Sequence, residues 1–209
     1  MRCNIRLWRV PGFALAPVMA LASSFPATWG ATRLPDCEAA YQQEVNDQAR
    51  YLAYARQADV EGLGEAGSLF RAVARAEGIH AQIHAKLIRR KLPAAAAALQ
   101  PVSVGITEQN LEAAIENENR EMHRTYPALV HRAKQAGLER TAEIIQRIQN
   151  AEGQHEILFT QAQSTLRTGK HSGQRFFYVC PECGYVTEEI TFDKCPDCFG
   201  EEDRFEMIE

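Results

Sequence analysis

The chain has 209 residues, of which 45% are hydrophobic and 24% charged, and its formal net charge is -4. That apolar content excludes a disordered chain and fits one domain with a small appendage. Lys and Arg are scattered rather than striped, so the basic footprint demanded by a phosphate backbone is missing and nucleic acid is not an expected partner.

The N-terminal segment stands apart. Arg2, Arg6 and Arg9 precede an apolar stretch beginning at Val10, and no acidic residue occurs before Asp36. This is the pattern of a secretory signal peptide over residues 1–30, with small residues at Ala20 and Ala22, or at Thr28 and Gly30, as cleavage positions. Pro11, Pro17 and Pro26 interrupt a stretch already shorter than the roughly 20 apolar residues of a spanning helix, so no stable membrane span is expected. Export to the periplasm is the expectation, and loss of the three arginines would leave a charge of about -7. A true start at Met19 would instead make the protein cytoplasmic.

Helical periodicity then runs almost unbroken from Cys37 to Arg167. Turn signals at Gly62-Leu63-Gly64, between Pro93 and Thr107, and at Gly137 divide it into four helices, at about 36–60, 65–91, 107–135 and 138–167. The first and last connections are short and the middle one is long, which is an αα-hairpin repeated twice with a crossover between. The repeat is also chemical. Glu44 is followed by Glu77-Gly-Ile-His80, and Glu118 by Glu152-Gly-Gln-His155, the two sets being offset by about 75 residues, the length of a hairpin.

Residues three apart share a helix face, so Glu77 with His80, Glu118 with Glu121, and Glu152 with His155 each present two metal-capable groups in one direction. Each pair lies among apolar positions such as Val73, Leu111, Ile145 and Phe159. Unpaired carboxylates on an apolar stripe would each cost several kcal/mol, and Glu44, Glu77, Glu118, Glu121 and Glu152 all fall there. One ExxH alone is ordinary surface decoration, but two in register, each preceded by a lone Glu, match the ligand set of ferritin-like two-metal bundles. His84, one turn past His80, is either a further ligand or a packing histidine. Tyr51 and Tyr126, about two turns beyond Glu44 and Glu118, are either core or functional, as hydrogen-bond donors to ligands or as redox-active phenols.

A linker over 168–174, Gly- and Ser-containing, leads into a segment over 175–209 with Cys180-Pro-Glu-Cys183-Gly and Cys195-Pro-Asp-Cys198. Two CxxC turns separated by a hairpin-length segment suit tetrahedral metal more than disulfides, and spacing leaves iron and zinc both open. Aromatic residues Phe176, Phe177, Tyr178 and Tyr185 could shield such a centre or form the core of a tiny domain.

The residues from Cys37 to Ile208 resemble the rubrerythrin family. The likeness rests on Glu44-Val-Asn-Asp-Gln-Ala-Arg50-Tyr51, Ala76-Glu77-Gly-Ile-His80, Ala114-Ile-Glu-Asn-Glu118-Asn-Arg-Glu121 running to Tyr126-Pro127, Glu152-Gly-Gln-His155 and Tyr178-Val-Cys180-Pro-Glu-Cys183-Gly-Tyr185. The resemblance implies an all-α, ferritin-like four-helix bundle over 36–167 with a small C-terminal rubredoxin-like β/knuckle domain. It implies two non-haem irons in the bundle and one iron, or zinc, on the four cysteines. The implied activity is a non-haem peroxidase that reduces hydrogen peroxide to water, with electrons relayed through the four-thiolate iron from an external rubredoxin or NADH-linked reductase. It further implies that Glu121 and His80 exchange on one iron between oxidation states. A head-to-tail homodimer is implied too, in which the thiolate iron of one subunit serves its neighbour. The alternatives are a ferroxidase or iron-sequestering protein and a zinc-stabilised docking module; an internal electron relay favours the peroxidase.

Overall fold

The computed structural model describes residues 35–88, 99–169, 173 and 175–209; the expected leader and the part of the second helix beyond Ile88 lie outside the described residues. Helix α1 (Pro35–Val60) and α2 (Gly64–Leu87) form one hairpin. The second is made by α3 (Thr107–Arg120), a π-helical turn (Glu121–Thr125) and α4 (Tyr126–Gln135), which together pair with α5 (Glu139–Arg167).

The two hairpin turns are built alike. Gly62 and Gly137 both take left-handed backbone, at φ 74° and 69°. Leu63 N–H then bonds Ala58 O, and Leu138 N–H bonds Ala133 O, each at 2.9 Å. This 6→1 bond satisfies a carbonyl that the helix end would otherwise leave bare, and glycine is the residue that enters the required conformation without a Cβ penalty.

The expected third helix is therefore not uniform. Tyr126 N–H reaches back five residues to Glu121 O. Pro127 follows it at the start of α4. Proline has no N–H for the carbonyl four residues earlier and its ring crowds that carbonyl, so the turn before it opens to the π form.

Tyr51, Phe70 and Phe159 fill the centre of the bundle, their rings 5.2 to 6.1 Å apart. The C-terminal segment adds a three-stranded antiparallel sheet of order β2-β1-β3, with β1 (Phe177–Val179), β2 (Val186–Thr187) and β3 (Glu206–Ile208). Its register pairs Tyr178 with Thr187 on one side and with Met207 on the other.

This segment is not a free appendage. Phe177, Val179 and Val186 point into the same apolar cluster as Ala72, Val73 and Phe159. Arg75 of α2 grips Glu206 of β3 through two bonds of 2.6 and 2.8 Å, and Asn150 of α5 donates to Asp197 at 2.8 Å. Arg33–Glu209 consequently form one compact unit. One expectation changes, since Phe177 serves the bundle rather than the cysteines; Tyr185 does pack against the cysteine cluster as expected, joined there by Phe205. No helix among the described residues is long and apolar enough to cross a membrane.

Candidate metal centres

Each of the four rods delivers its expected carboxylate or ExxH pair to one buried place, because the acidic positions share the face that the flanking apolar residues bury. Glu44 comes from α1, Glu77 and His80 from α2, Glu118 from α3, and Glu152 and His155 from α5. They form two overlapping groups, Glu44, Glu77, His80 and Glu152 in one and Glu77, Glu118, Glu152 and His155 in the other, with ligand atoms within 4.8 Å of one another. Glu77 and Glu152 belong to both.

His80 Nδ1 lies 3.0 Å from Glu77 Oε2 and 2.9 Å from Glu152 Oε1; His155 Nδ1 lies 3.0 Å from Glu152 Oε2 and 3.5 Å from Glu118 Oε2. The opposite ring nitrogens are also engaged. His80 Nε2 donates to the carbonyl of Cys183 at 2.9 Å, and His155 Nε2 to that of Gly184 at 3.0 Å. These bonds fix the hydrogen on Nε2 and turn each Nδ1 lone pair toward the carboxylates.

The residues present fit cations. Glu44 Oε2 and Glu118 Oε2 are buried and accept no hydrogen bond among the described residues, which would leave uncompensated charge in a dry interior. Without metal, protons take its place. Burial alone would lower His80, but Glu152 and Glu77 outweigh it and raise the imidazole to about 10. His155 is likewise raised, by the carboxylates of Glu118, Glu152 and Glu77 around it, which outweigh its burial. Burial would raise Glu152, yet His80 and His155 hold it well below the carboxylate range. Glu44 and Glu118 go the other way, pushed well up by burial and by neighbouring carboxylates.

Glu121, expected as a ligand, lies outside both groups although it is buried. It opens the π turn, and its Oε1 accepts from Asn117 Nδ2 at 3.3 Å. Burial and the Asp47 carboxylate raise its pKa well above the usual range. His84 is outside the groups too. Its Nε2 lies 3.1 Å from the Tyr126 hydroxyl, and burial, reinforced by the charge of His80, pushes its pKa down to about 3. Tyr126 donates to Glu44 Oε1 and Tyr51 to Glu118 Oε1, so both phenols are donors to the outer carboxylates.

Two participants lie in segments that carry the resemblance but were given no role there. Asp47 is fully buried and paired with Arg50, and Asn117 donates to Asp47 Oδ2 and the Tyr51 hydroxyl, both at 3.2 Å. The spacing of three between Glu44 and Asp47 was a usable signal, since it puts both on one face. Asn117 had none.

Cys180, Cys183, Cys195 and Cys198 converge beside the bundle, and all four are free thiols. The Cys180–Cys198 and Cys183–Cys195 sulfur distances are 3.6 and 3.7 Å, far beyond a disulfide bond. Four sulfurs bound at about 2.3 Å to one tetrahedral cation would stand about 3.8 Å apart, so the group is already shaped for metal. Hydrogen bonds among the sulfurs lower Cys180 and Cys195 and raise Cys183 and Cys198, a sharing of protons that a cation would replace.

Comparison with known proteins agrees with this geometry. The family model described as Rubrerythrin matches residues 37–163. Rubrerythrin-2 of Clostridium acetobutylicum is 29% identical over 171 residues, covering 81% of this chain and 92% of its own. Nigerythrin of Nitratidesulfovibrio vulgaris is 28% identical over 173 residues, covering 82% and 84%. The solved structure of fully reduced, all-ferrous nigerythrin superposes with a TM-score of 0.76 at 26% identity, covering 95% of this chain and 100% of that one. The match to the family over the bundle, with a carboxylate and histidine di-iron site inside it and a rubredoxin-like four-cysteine site after it, establishes that this chain belongs to the rubrerythrin family.

Proposed function

We propose that this oxidoreductase reduces hydrogen peroxide to water, with electrons passing through the four-cysteine centre to the bundle. The observation that carries the reading is the direct contact between the two sites: both ligand imidazoles hydrogen-bond the backbone of the Cys183-Gly184 knuckle. A protein that only stores or oxidises iron has no use for such a bridge. When bound, paired irons supply the two electrons that cleavage of the O–O bond consumes, and a four-thiolate iron supplies electrons singly. Zinc in the thiolate site would break the relay, since it has no redox chemistry.

The residues divide the work. Glu77 and Glu152, common to both groups, would bridge the metals, while Glu44 with His80 and Glu118 with His155 would complete the two ends. His80 sits among the ligands and Glu121 does not, an arrangement that supports exchange of these two on one iron. The resemblance implied that the bridge between centres forms across subunits; here it is made within one chain. A rubredoxin or an NADH-linked reductase is the proposed donor, a homodimer the proposed assembly, and export to the periplasm is supported by the basic and apolar character of residues 1–30.

The test is to mix fully reduced, iron-loaded protein with peroxide in a stopped-flow spectrometer. Oxidation of the bundle irons followed by that of the thiolate iron is expected. Oxidation by oxygen but not by peroxide, with accumulation of further iron, would move the assignment to a ferroxidase.

A further inference from the structure

Tyr126 and Tyr51 each carry one phenolic hydrogen, and each meets two polar groups. Tyr126 faces Glu44 Oε1 and, at 3.1 Å, His84 Nε2. Tyr51 faces Glu118 Oε1 and, at 3.2 Å, Asn117 Nδ2. A carboxylate that serves as a metal ligand is ionised and has no hydrogen to give. Each phenol therefore donates to its carboxylate, and the group behind it must donate to the phenol oxygen.

For Asn117 the direction is set by charge. Arg50 and Arg120 both donate to its Oδ1, which leaves the NH₂ group facing Tyr51. For His84 the count of hydrogens places one on Nε2, and its Nδ1 accepts no hydrogen bond among the described residues. Two directed chains result. One runs from His84 of α2 through Tyr126 of α4 to Glu44 of α1; the other runs from Asn117 of α3 through Tyr51 of α1 to Glu118 of α3.

In each chain the phenol occupies Oε1 of the carboxylate. Oε2 is left without a hydrogen bond, and it is the oxygen turned to the ligand imidazoles: Glu118 Oε2 stands 3.5 Å from His155 Nδ1, and Glu44 Oε2 stands 4.0 Å from His80 Nδ1. A phenol that accepts a hydrogen bond is also a stronger donor, so the group behind it decides how firmly Oε1 is withheld.

We propose that His84 and Asn117 are positioning residues that commit the two phenols to Oε1, restrict Glu44 and Glu118 to one-oxygen ligation, and thereby keep a coordination position open to a small oxidant or anion. The inference rests on the peroxidase reading only for what that oxidant is. His84 touches neither group of ligands, and its place in the chain was not resolved by its spacing from His80.

The experiment measures azide binding to the ferric full-length protein by its charge-transfer absorbance, after metal analysis of each variant. His84→Leu is expected to keep both bundle irons and to bind azide about three- to tenfold more weakly, the effect of losing one buried hydrogen bond. His84→Gln, which retains an N–H donor, is expected to restore the parent affinity, and Asn117→Leu to weaken azide as His84→Leu does. Unchanged affinity in both leucine variants overturns the proposal. So does a glutamine variant no better than leucine, which would make His84 mere packing, and so does loss of bundle iron from His84→Leu, which would make it a ligand. If the parent fails to react with peroxide while the azide pattern holds, the peroxidase reading falls and this one stands.

Discussion

A Cβ placed on Gly184 would overlap the ring of His80, only 2.8 Å from its Cδ2, so the knuckle backbone and the ligand imidazole meet with no room for a side chain between them. Gly184 also takes φ 82°, closes the first knuckle by donating its N–H to Cys180 O at 2.9 Å, and accepts from His155 through its own carbonyl. One residue thus serves the thiolate turn and both imidazoles.

Gly184→Ala is expected to lift the cysteine module off the bundle. Left-handed backbone costs a residue with a Cβ about 1–2 kcal/mol, and the overlap with His80 adds to it. The backbone cost alone should lower Tm by roughly 2–8 °C, given about 2–4 °C per kcal/mol for a chain of this size. Both metal sites should remain filled while transfer between them slows, a combination read by calorimetry, metal analysis and stopped-flow absorbance. Unaltered transfer would show that the imidazole bridge is not the route.

Glu152→Ala and His155→Ala should abolish iron loading of the bundle and leave the thiolate site occupied. Glu152 faces both imidazoles, so its removal strips a ligand from each group at once. The four sulfurs lie on two CxxC turns of one short segment, so the thiolate site is expected to fill even when the His155–Gly184 bond is lost. Metal analysis of the purified variants decides, and full iron content in either contradicts the ligand assignment.

Cys198→Ser should slow turnover supported by a reductase without affecting a single oxidation of the pre-reduced bundle irons by peroxide. Cys198 is half-buried in the thiolate group and belongs to neither group of bundle ligands. Steady-state rates against one stopped-flow cycle separate the two steps, and loss of the single cycle would remove the relay role.

Metal-free protein should lose stability as pH rises above 6.5 and gain metal affinity over the same window. His80 is raised from 6.5 to about 10, and a histidine held above its unfolded value stabilises the fold fully below 6.5 and ceases to do so as pH passes its folded value. His155, Glu44 and Glu118, all raised, act in the same direction. Metal displaces these protons, so loading at neutral pH should release about two protons from the imidazoles alone and remove the pH dependence. Thermal melts of both forms from pH 6.5 to 10, with proton release followed in weak buffer, provide the check.

Much of the site was legible because helical spacing is a local rule. Glu77 with His80 and Glu152 with His155 share a face wherever the helix lies, and the offset of about 75 residues pairs the halves without any coordinates. The same offset separates Gly62 from Gly137, so the repeat extends to the turns. Glu121 is buried on the face that its spacing of three from Glu118 predicts, yet it lies outside both ligand groups, at the start of the π turn before Pro127, a feature no spacing rule reveals. The partners of His84 and Asn117 come from other helices, and periodicity along one strand of sequence contains no information about who faces whom.

The amino-acid order by itself determined the four rods, the acidic groups on their buried stripes, and two CxxC knuckles with the thiols for one tetrahedral ion. Only the tertiary structure shows that Glu121 meets Asn117 outside both groups, that His84 meets the Tyr126 phenol, and that the Cys183-Gly184 backbone rests on both imidazoles. The reason is range: ligand spacing is set by the pitch of a single helix, whereas hydrogen bonds among buried groups depend on the packing of several helices, where every polar atom must find a partner or an ion.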